Sequence, residues 1–218
     1  MSKLQLVIGN KNYSSWSMRP WMALTVAGIP FRETLIPLDT PETAALVSVH
    51  SPAGRVPVLR HGRQTVWESL AIMEYLAELF PERHLWPKAV SARAIARAVA
   101  NEMHAGFGAL RNACPMNLRR PRKPISMSEQ VLKDVARIEQ IWRDCRTAYG
   151  KGGKFLFGRF SIADAMYAPV VTRFDTYAIP VADDTRAYMH TIMNTEAFTA
   201  WREAAVKETW IVHADEVD

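Results

Sequence analysis

The sequence predicts an α/β domain followed by an all-α domain, and three observations carry that prediction. As far as residue 80, short apolar runs alternate with stretches in which apolar residues recur at helical spacing. Residues 81–90 contain Pro81 and Pro87 and show no period, which is typical of a linker. From residue 91 onward only helical spacing recurs. We therefore place the α/β domain at residues 1–80, the linker at 81–90 and the helical domain at 91–218.

The first domain opens with a strand, a helix and a second strand. Leu4 to Ile8 is a short apolar run, which indicates a buried strand. Apolar residues then recur at helical spacing from Met18 to Ala27, and Gly28 is a stop signal. Residues 31–38 predict a strand beside the first, so that the three elements form a βαβ unit. A short helix is predicted over residues 41–49.

Residues 51–75 organise the first domain and indicate a loop, a strand, a tight turn, a strand and a helix. Val56-Pro57 stands where the first of these strands begins, a position that suits proline because it cannot donate to a sheet ladder. A cis bond there would leave the Val56 backbone free to pair with an extended peptide. Ser69 is predicted to cap the helix, whose first-turn N–H groups suit a carboxylate, and Glu68 suits an amine. Together these features fit a zwitterionic peptide.

The second domain is predicted to be helical throughout. Residues 91–111 form a long Ala-rich stretch, and a Ser-x-x-Glu capping box at Ser126 predicts the start of the next helix. A second capping box, Ser161 with Asp164, opens a third helix and gives Asp164 a structural role. Two shorter helices are predicted over residues 184–193 and 195–206.

Composition and charge exclude several classes of protein. Of 218 residues, 49% are hydrophobic and 22% are charged, and no apolar run approaches the ~20 residues of a membrane span. With no signal peptide visible, we expect a cytoplasmic protein that binds neither a membrane nor, at a net charge of +5, nucleic acid. Cys114 and Cys145 are expected to be buried thiols, because their spacing suits neither a disulfide framework nor a metal site. The basic, proline-containing run 118–124 is expected to be a solvated loop.

Two motifs in sequence resemble the glutathione-binding half of the cytosolic glutathione transferases. They are Arg-Val-Pro-Val-Leu at residues 55–59 and Trp-Glu-Ser-Leu-Ala-Ile at 67–72. The element order βαβ–α–ββα is that of a thioredoxin-like domain, and residues 160–165 resemble the capping motif of the family's helical domain. The resemblance implies a bacterial, serine-type detoxification enzyme that takes glutathione as its substrate, attacks a small electrophile, uses no metal and forms a homodimer.

The reaction implied by this resemblance needs a thiolate near neutral pH. A thiol with a pKa of about 8.5 is roughly 3% ionised at pH 7; lowering that pKa by two units ionises about three-quarters and requires about 2.7 kcal/mol. A hydroxyl donor at the start of the first helix would contribute. Residues 13–19 resemble the serine motifs of the zeta and tau classes, in which the hydroxyl lies five residues before an arginine, so we expect Ser14 to be catalytic. Ser15 is the second choice and Ser17 the third, although helix capping explains each serine taken alone.

The resemblance also implies the binding residues. Val56 and Pro57 would hold the cysteinyl backbone of glutathione, Glu68 and Ser69 its γ-glutamyl end, and Arg55 would lie near its glycine carboxylate.

A second-substrate pocket is expected between the domains, lined by Trp16, Met103, Phe107 and Arg111. Methionine and aromatic side chains suit a loosely specific apolar pocket, but the same spacing makes a core stripe. Arg111 would bind an acidic co-substrate, whereas His104 is expected to be a packed residue.

Two alternatives stay open. One is a glutathione-dependent cis–trans isomerase of the maleylacetoacetate type, against which Trp16 counts because it stands where the zeta motif has cysteine. The other is a binding protein that keeps the fold without turnover.

Overall fold

A computed structural model describes residues 3–217, and its first part is a four-stranded sheet flanked by helices. The elements are β1 (Leu4–Ile8), α1 (Ser15–Val26), β2 (Phe31–Leu35), α2 (Thr43–Ser48), β3 (Val58–His61), β4 (Gln64–Trp67) and α3 (Ser69–Leu79). The strand order is β2-β1-β3-β4, with β1 parallel to β2 and the other pairs antiparallel. This confirms the predicted thioredoxin-like arrangement.

The two faces of the sheet carry different helices because side chains alternate along a strand. Leu6 and Ile8 of β1 pack into the large core that includes α1 and α3. Val7 and Val58 point to the opposite face and pack with Val47 of α2. Helices α1 and α3 therefore cover one face of the sheet, and α2 covers the other.

The second part is helical, as predicted. Its helices are α4 (Val90–Ala105), α5 (Gly108–Ala113), α6 (Glu129–Tyr149), α7 (Ile162–Thr176), α8 (Asp183–Met193) and α9 (Glu196–Ala205). Single 3-10 turns occur at Pro81–Arg83 and His213–Asp215. The division into domains at residues 80 and 91 stays a prediction.

Helix α7 is the buried centre of this part, and it packs against both α1 and α4. Around it, Trp142 of α6 makes edge contacts with Tyr167 and Tyr188 at ring-centroid distances of 5.7 and 4.7 Å. The predicted capping box at its start is confirmed, because the Asp164 carboxylate accepts from the Ser161 N–H at 2.9 Å. Cys114 and Cys145 are buried thiols, as expected.

Several predicted helix boundaries were wrong. Helix α6 begins at Glu129, and the residue that caps it is Ser128, not Ser126. The long stretch over 91–111 is two helices, because Phe107 adopts a left-handed conformation with φ 58°. A Cβ at Gly106 would lie 2.7 Å from the Glu102 carbonyl oxygen, so glycine is needed where α4 ends.

Within residues 3–217, no helix combines the length and the apolar character that crossing a bilayer requires.

Candidate active site

The loop before β3 presents backbone groups to the surface of the sheet. The Val56-Pro57 peptide bond is cis, and β3 begins only at Val58, which pairs with Val7 of β1. Among residues 3–217, no loop or turn hydrogen bond uses the backbone N–H or C=O of Val56. These two groups are therefore free to pair with an extended peptide.

Glu68 and Ser69 form the start of α3. Glu68 occupies the cap position that was predicted for Ser69, and it has a left-handed backbone with φ 66° and ψ 125°. Such a conformation is costly for a residue other than glycine, and observed outliers of this kind point to function. Ser69 is fully buried, and in the described chain its Oγ has no hydrogen-bond partner. A free hydroxyl beside first-turn N–H groups suits a carboxylate.

The three serines of the loop after β1 differ in their hydrogen bonds. Ser14 caps α1: its Oγ accepts from the Ser17 N–H at 3.4 Å and donates to Ser17 Oγ at 2.7 Å. Ser17 is fully buried, and its Oγ also accepts from the Gly9 N–H at 3.1 Å. Ser15 Oγ instead accepts from the Arg173 guanidinium at 3.2 Å. The hydroxyl proton of Ser15 is thus left for a further acceptor.

Arg173 of α7 is a buried cation fixed by its own polypeptide. Its guanidinium donates to the carbonyls of Cys114 at 2.8 Å and Pro169 at 3.3 Å as well as to Ser15. Within residues 3–217 no carboxylate lies within ion-pair distance of it. Burial, followed by the charge of Arg111, lowers its pKa to about 10, so it remains cationic at neutral pH.

Trp16 is enclosed by positive charge. The Arg19 guanidinium lies over its ring at 4.0 Å and that of Arg111 at 5.5 Å, while His104 meets it edge-on at 5.2 Å. Arg19 is fully buried, and in the described chain neither of its terminal nitrogens has a hydrogen-bond partner. The pKa of Arg19 is lowered by burial first and then by Arg173 and Arg111.

His104 sits between this cationic group and Glu68, at 3.7 Å from the Glu68 carboxylate. Burial, followed by the charge of Arg19, lowers its pKa, so the imidazole is neutral at pH 7. It lines the cleft, which contradicts the expectation that it is only a packed residue.

The residues that face solvent here line one cleft, which is made of two adjoining cavities of about 430 and 450 Å³. The first contains Glu68, Ser69 and His104, and the second contains Ser14, Ser15 and Arg173. Both cavities are lined by Trp16, Arg55, Val56 and Arg111. A ligand paired with Val56 can therefore extend from the start of α3 to the serine loop.

Comparison with known protein families identifies the family to which the chain belongs. Residues 13–79 match the family model of the glutathione S-transferase N-terminal domain, and residues 58–204, more than half of the chain, match that of the C-terminal domain. The chain belongs to the glutathione S-transferase family. Membership confirms the predicted resemblance and the expectation of a glutathione-dependent enzyme.

Named relatives of this glutathione S-transferase come from two kinds of enzyme. Glutathione S-transferase 1 from Dianthus caryophyllus is 29% identical over 180 residues, covering 78% of this chain and 76% of the relative. A probable maleylacetoacetate isomerase from Caenorhabditis elegans is 27% identical over 173 residues, covering 77% and 80%.

Solved structures share the fold of this glutathione S-transferase at low sequence identity. A glutathione transferase homolog from Burkholderia, determined with bound glutathione, is 22% identical with a TM-score of 0.70 and covers 93% of this chain and 98% of its own. The tau-class enzyme from Mangifera indica is 18% identical with a TM-score of 0.71, covering 93% and 96%.

The structure brings most of the predicted site residues together. Ser14, Ser15, Trp16, Arg55, Val56, Pro57, Glu68, Ser69 and Arg111 all line the cleft. Met103 and Phe107, predicted for the second-substrate pocket, are instead buried in the core, and Met103 belongs to α4, which packs against α7.

Sequence reasoning missed two charged cleft residues, Arg173 and Asp215. A single arginine that follows the apolar run 165–171 of α7 was a usable signal for the first, since a buried charge needs a reason. No pattern in the sequence singles out Asp215.

Proposed function

We propose that the protein binds glutathione in this cleft and activates its thiol, through a serine hydroxyl, for attack on a small electrophile. Glutathione would pair its cysteinyl backbone with Val56. Its γ-glutamyl carboxylate would meet Ser69 and the start of α3, its ammonium group Glu68, and its glycine carboxylate Arg55. These assignments follow the resemblance, and the free backbone at Val56 and the unpartnered Ser69 hydroxyl support them.

The hydrogen bonds favour Ser15 over Ser14 as the thiolate donor. Ser14 is used as the cap of α1, whereas Ser15 accepts from a buried arginine at 3.2 Å and has its own proton available. A charge-assisted bond into Ser15 makes that hydroxyl a stronger donor. The charge of Arg173, which that of Asp215 offsets only in part, also stabilises an anion in the same cavity. This contact between Arg173 and Ser15 is the single observation that carries the proposal.

The electrophile would enter beside Trp16 and Arg111, next to Pro115 and Met116. In a conjugation with an aryl chloride, the sulfur forms a bond to the ring carbon and chloride leaves with the electron pair of the broken bond. The enzyme contributes by holding the sulfur as thiolate and by orienting the two reactants.

The test measures the pKa of the glutathione thiol when it is bound to wild type, Ser15→Ala and Ser14→Ala. The absorbance of the thiolate, recorded as a function of pH, gives this pKa. We expect Ser15→Ala to raise that pKa and to lower kcat/KM with 1-chloro-2,4-dinitrobenzene by about 10- to 100-fold, since a hydrogen bond to a charged group contributes about 1.5–3 kcal/mol. Ser14→Ala should act mainly on stability, by about 1 kcal/mol for a lost cap. Full activity in Ser15→Ala would refute the role. Glutathione binding without turnover in wild type would indicate a binding protein instead.

A second candidate is glutathione-dependent cis–trans isomerisation of an acidic substrate, in which glutathione adds and leaves again. Arg111 and Arg173 line the cleft without a carboxylate within ion-pair distance in the described chain, and this favours an anionic co-substrate. Turnover of maleylacetoacetate that exceeds turnover of the aryl chloride would select this candidate.

We also propose that the protein forms a homodimer, as the resemblance implies. Sedimentation equilibrium giving twice the chain mass of 24.6 kDa would support this assignment, and a monomer would contradict it.

A further inference from the structure

One carboxylate faces the cavity that the electrophile would enter, and the proposed function gives it no role. Asp215, in the 3-10 turn His213–Asp215, lines the cavity of about 450 Å³ that also contains Ser15 and Arg173. Within residues 3–217 it is the only aspartate or glutamate in the lining of that cavity. The acid of the adjoining cavity, Glu68, is assigned to the ammonium group of glutathione. Asp215 is therefore the acid that the second reactant would meet.

The chain on both sides of Asp215 is fixed to distant segments. The His213 N–H donates to the Asp39 carboxylate, in the loop after β2, at 3.0 Å. The Glu216 carboxylate accepts from the Tyr13 hydroxyl of the serine loop. These contacts hold Asp215 in place before any ligand arrives, which lowers the entropic cost of an interaction with it.

The carboxylate of Asp215 has no direct partner among residues 3–217. It accepts no hydrogen bond and forms no ion pair there, although the side chain is half-buried. Burial raises the pKa of Asp215, the charge of Arg173 lowers it, and Glu216 and Asp39 raise it. A carboxylate without a direct partner acts through its charge on whatever enters the cavity.

The charge of Asp215 opposes that of the arginines in the same lining. Arg111 and Arg173 attract an anion, whereas Asp215 repels it. In the proposed function the thiolate already uses the charge of Arg173, so a second anion would meet Asp215 with mainly Arg111 to offset it. Two like unit charges about 7 Å apart disfavour binding by roughly three- to fiftyfold, depending on how well water screens them.

We propose that Asp215 determines the specificity of the cleft for its second substrate, by disfavouring electrophiles that carry an acid group relative to neutral ones. This role rests on the proposed function, since it concerns the reactant that glutathione attacks. An acidic co-substrate, which the isomerase candidate requires, would bind in spite of Asp215.

The test compares two aryl chlorides that differ by one charge. They are 4-chloro-3,5-dinitrobenzoate, an anion, and its neutral methyl ester. In both, the glutathione sulfur forms a bond to the ring carbon and chloride leaves with the electron pair of the broken bond. The measured quantity is the ratio of kcat/KM for the anion to kcat/KM for the ester. Both chlorides meet the same thiolate, so any change in the thiol pKa cancels in this ratio.

Asp215→Asn removes the charge and keeps the shape of the side chain. We expect it to raise the ratio by about fivefold or more over wild type. Asp215→Glu keeps the charge and should leave the ratio within about twofold of the wild-type value. Asp144→Asn is the control: it removes one negative charge at an exposed position outside the cavity and should give the wild-type ratio.

Equal ratios in Asp215→Asn and Asp144→Asn would overturn the role of Asp215, while turnover of the ester by wild type would leave the proposed function standing. Turnover of neither chloride by wild type would instead count against the proposed function. The affinities of the two glutathione conjugates, measured by calorimetry, then test Asp215 without turnover. Asp215→Asn should favour the anionic conjugate over the ester conjugate by the same factor, and an unchanged preference would refute the role.

Discussion

Ser14 and Ser15 are neighbours of the same residue type, yet their hydroxyl groups make different hydrogen bonds. Spacing from Arg19 placed Ser14 first, because the sequence pattern contains no information on which hydroxyl is consumed by the cap of α1. The contact that favours Ser15 comes from Arg173, which is 158 positions further along the chain. Contacts of this separation are set by tertiary packing, and local sequence cannot supply them.

Arg173 should act on the thiol through charge as well as through its hydrogen bond. Arg173→Met removes the cation, so we expect a higher pKa of bound glutathione and a loss of kcat/KM at least as large as that of Ser15→Ala. Arg173→Lys keeps the charge but cannot make the three guanidinium contacts, so its activity should lie between those of Arg173→Met and wild type. Thiolate titration checks both variants. A normal thiol pKa in Arg173→Met would contradict the electrostatic role.

His104 should make stability depend on pH. Its folded-state pKa is lowered by burial and by Arg19 and Arg111, against the opposing effect of Glu68, so the unfolded chain binds more protons just below pH 6.5. The contribution of His104 is therefore present above that pH and is lost as the pH falls through the folded-state pKa. We expect His104→Gln to lose less stability than wild type between pH 7.5 and 5.5, measured by urea unfolding. Identical losses would exclude this role.

At the scale of elements, the start of α7 depends on one carboxylate. Asp164 is fully buried and accepts from the Ser161 N–H and Oγ, the Leu156 N–H and the Tyr188 hydroxyl. Burial raises its pKa to about 6 in spite of these donors. Asp164→Ala should lower the free energy of unfolding by about 3–5 kcal/mol, because several buried donors lose their acceptor. Asp144→Ala, at an exposed site, should change it by less than about 0.5 kcal/mol.

The basic run over residues 118–124 was predicted to be a solvated loop, and this was wrong. The run makes hydrogen bonds that hold the C-terminal residues 208–217 in place. Arg119 donates to the Glu208 carbonyl, to the Tyr13 hydroxyl at 2.7 Å and to the Trp210 carbonyl at 2.7 Å. Residues 208–217 are thereby held over the serine loop, and Asp215 reaches the cleft. Sequence could not reveal this, since the partners are mostly backbone carbonyls from a distant segment.

Arg119→Ala should loosen residues 208–217. We expect amide exchange in that segment to quicken by about tenfold or more, because the segment loses two hydrogen bonds from a charged donor, those to the Glu208 and Trp210 carbonyls. Arg122→Ala is the control in the same run, since Arg122 contacts Asp175 and lies away from the segment. Equal exchange in both variants would show that Arg119 does not hold it.

For the whole molecule, sequence was most informative where local signals agree with one another. The short apolar run at residues 4–8, the Val56-Pro57 and Glu68-Ser69 dipeptides and the capping box at Ser161 each predict an element, and together they predict the fold and half of the cleft. The break at Gly106 was missed, although Gly106 and Gly108 stand only two residues apart and together were a usable signal for a helix end. Met103 and Phe107 could not be assigned from sequence, because the same helical spacing suits a pocket lining and a core stripe, and the structure has both residues in the core.

Helix α1 belongs to the sheet by connectivity and to the helices by packing. Trp21 meets Trp201 of α9 at a centroid distance of 5.2 Å, and the buried Arg19 donates to the Met166 carbonyl of α7 at 3.3 Å. We therefore do not expect the two halves to fold as separate proteins when the chain is divided between them. A fragment that ends at the linker would expose to water the apolar surface of α1 that contacts the helices, and Arg19 would lose its contact with the Met166 carbonyl. An exchange of the two halves between homologues therefore also requires substitutions on the surface of α1.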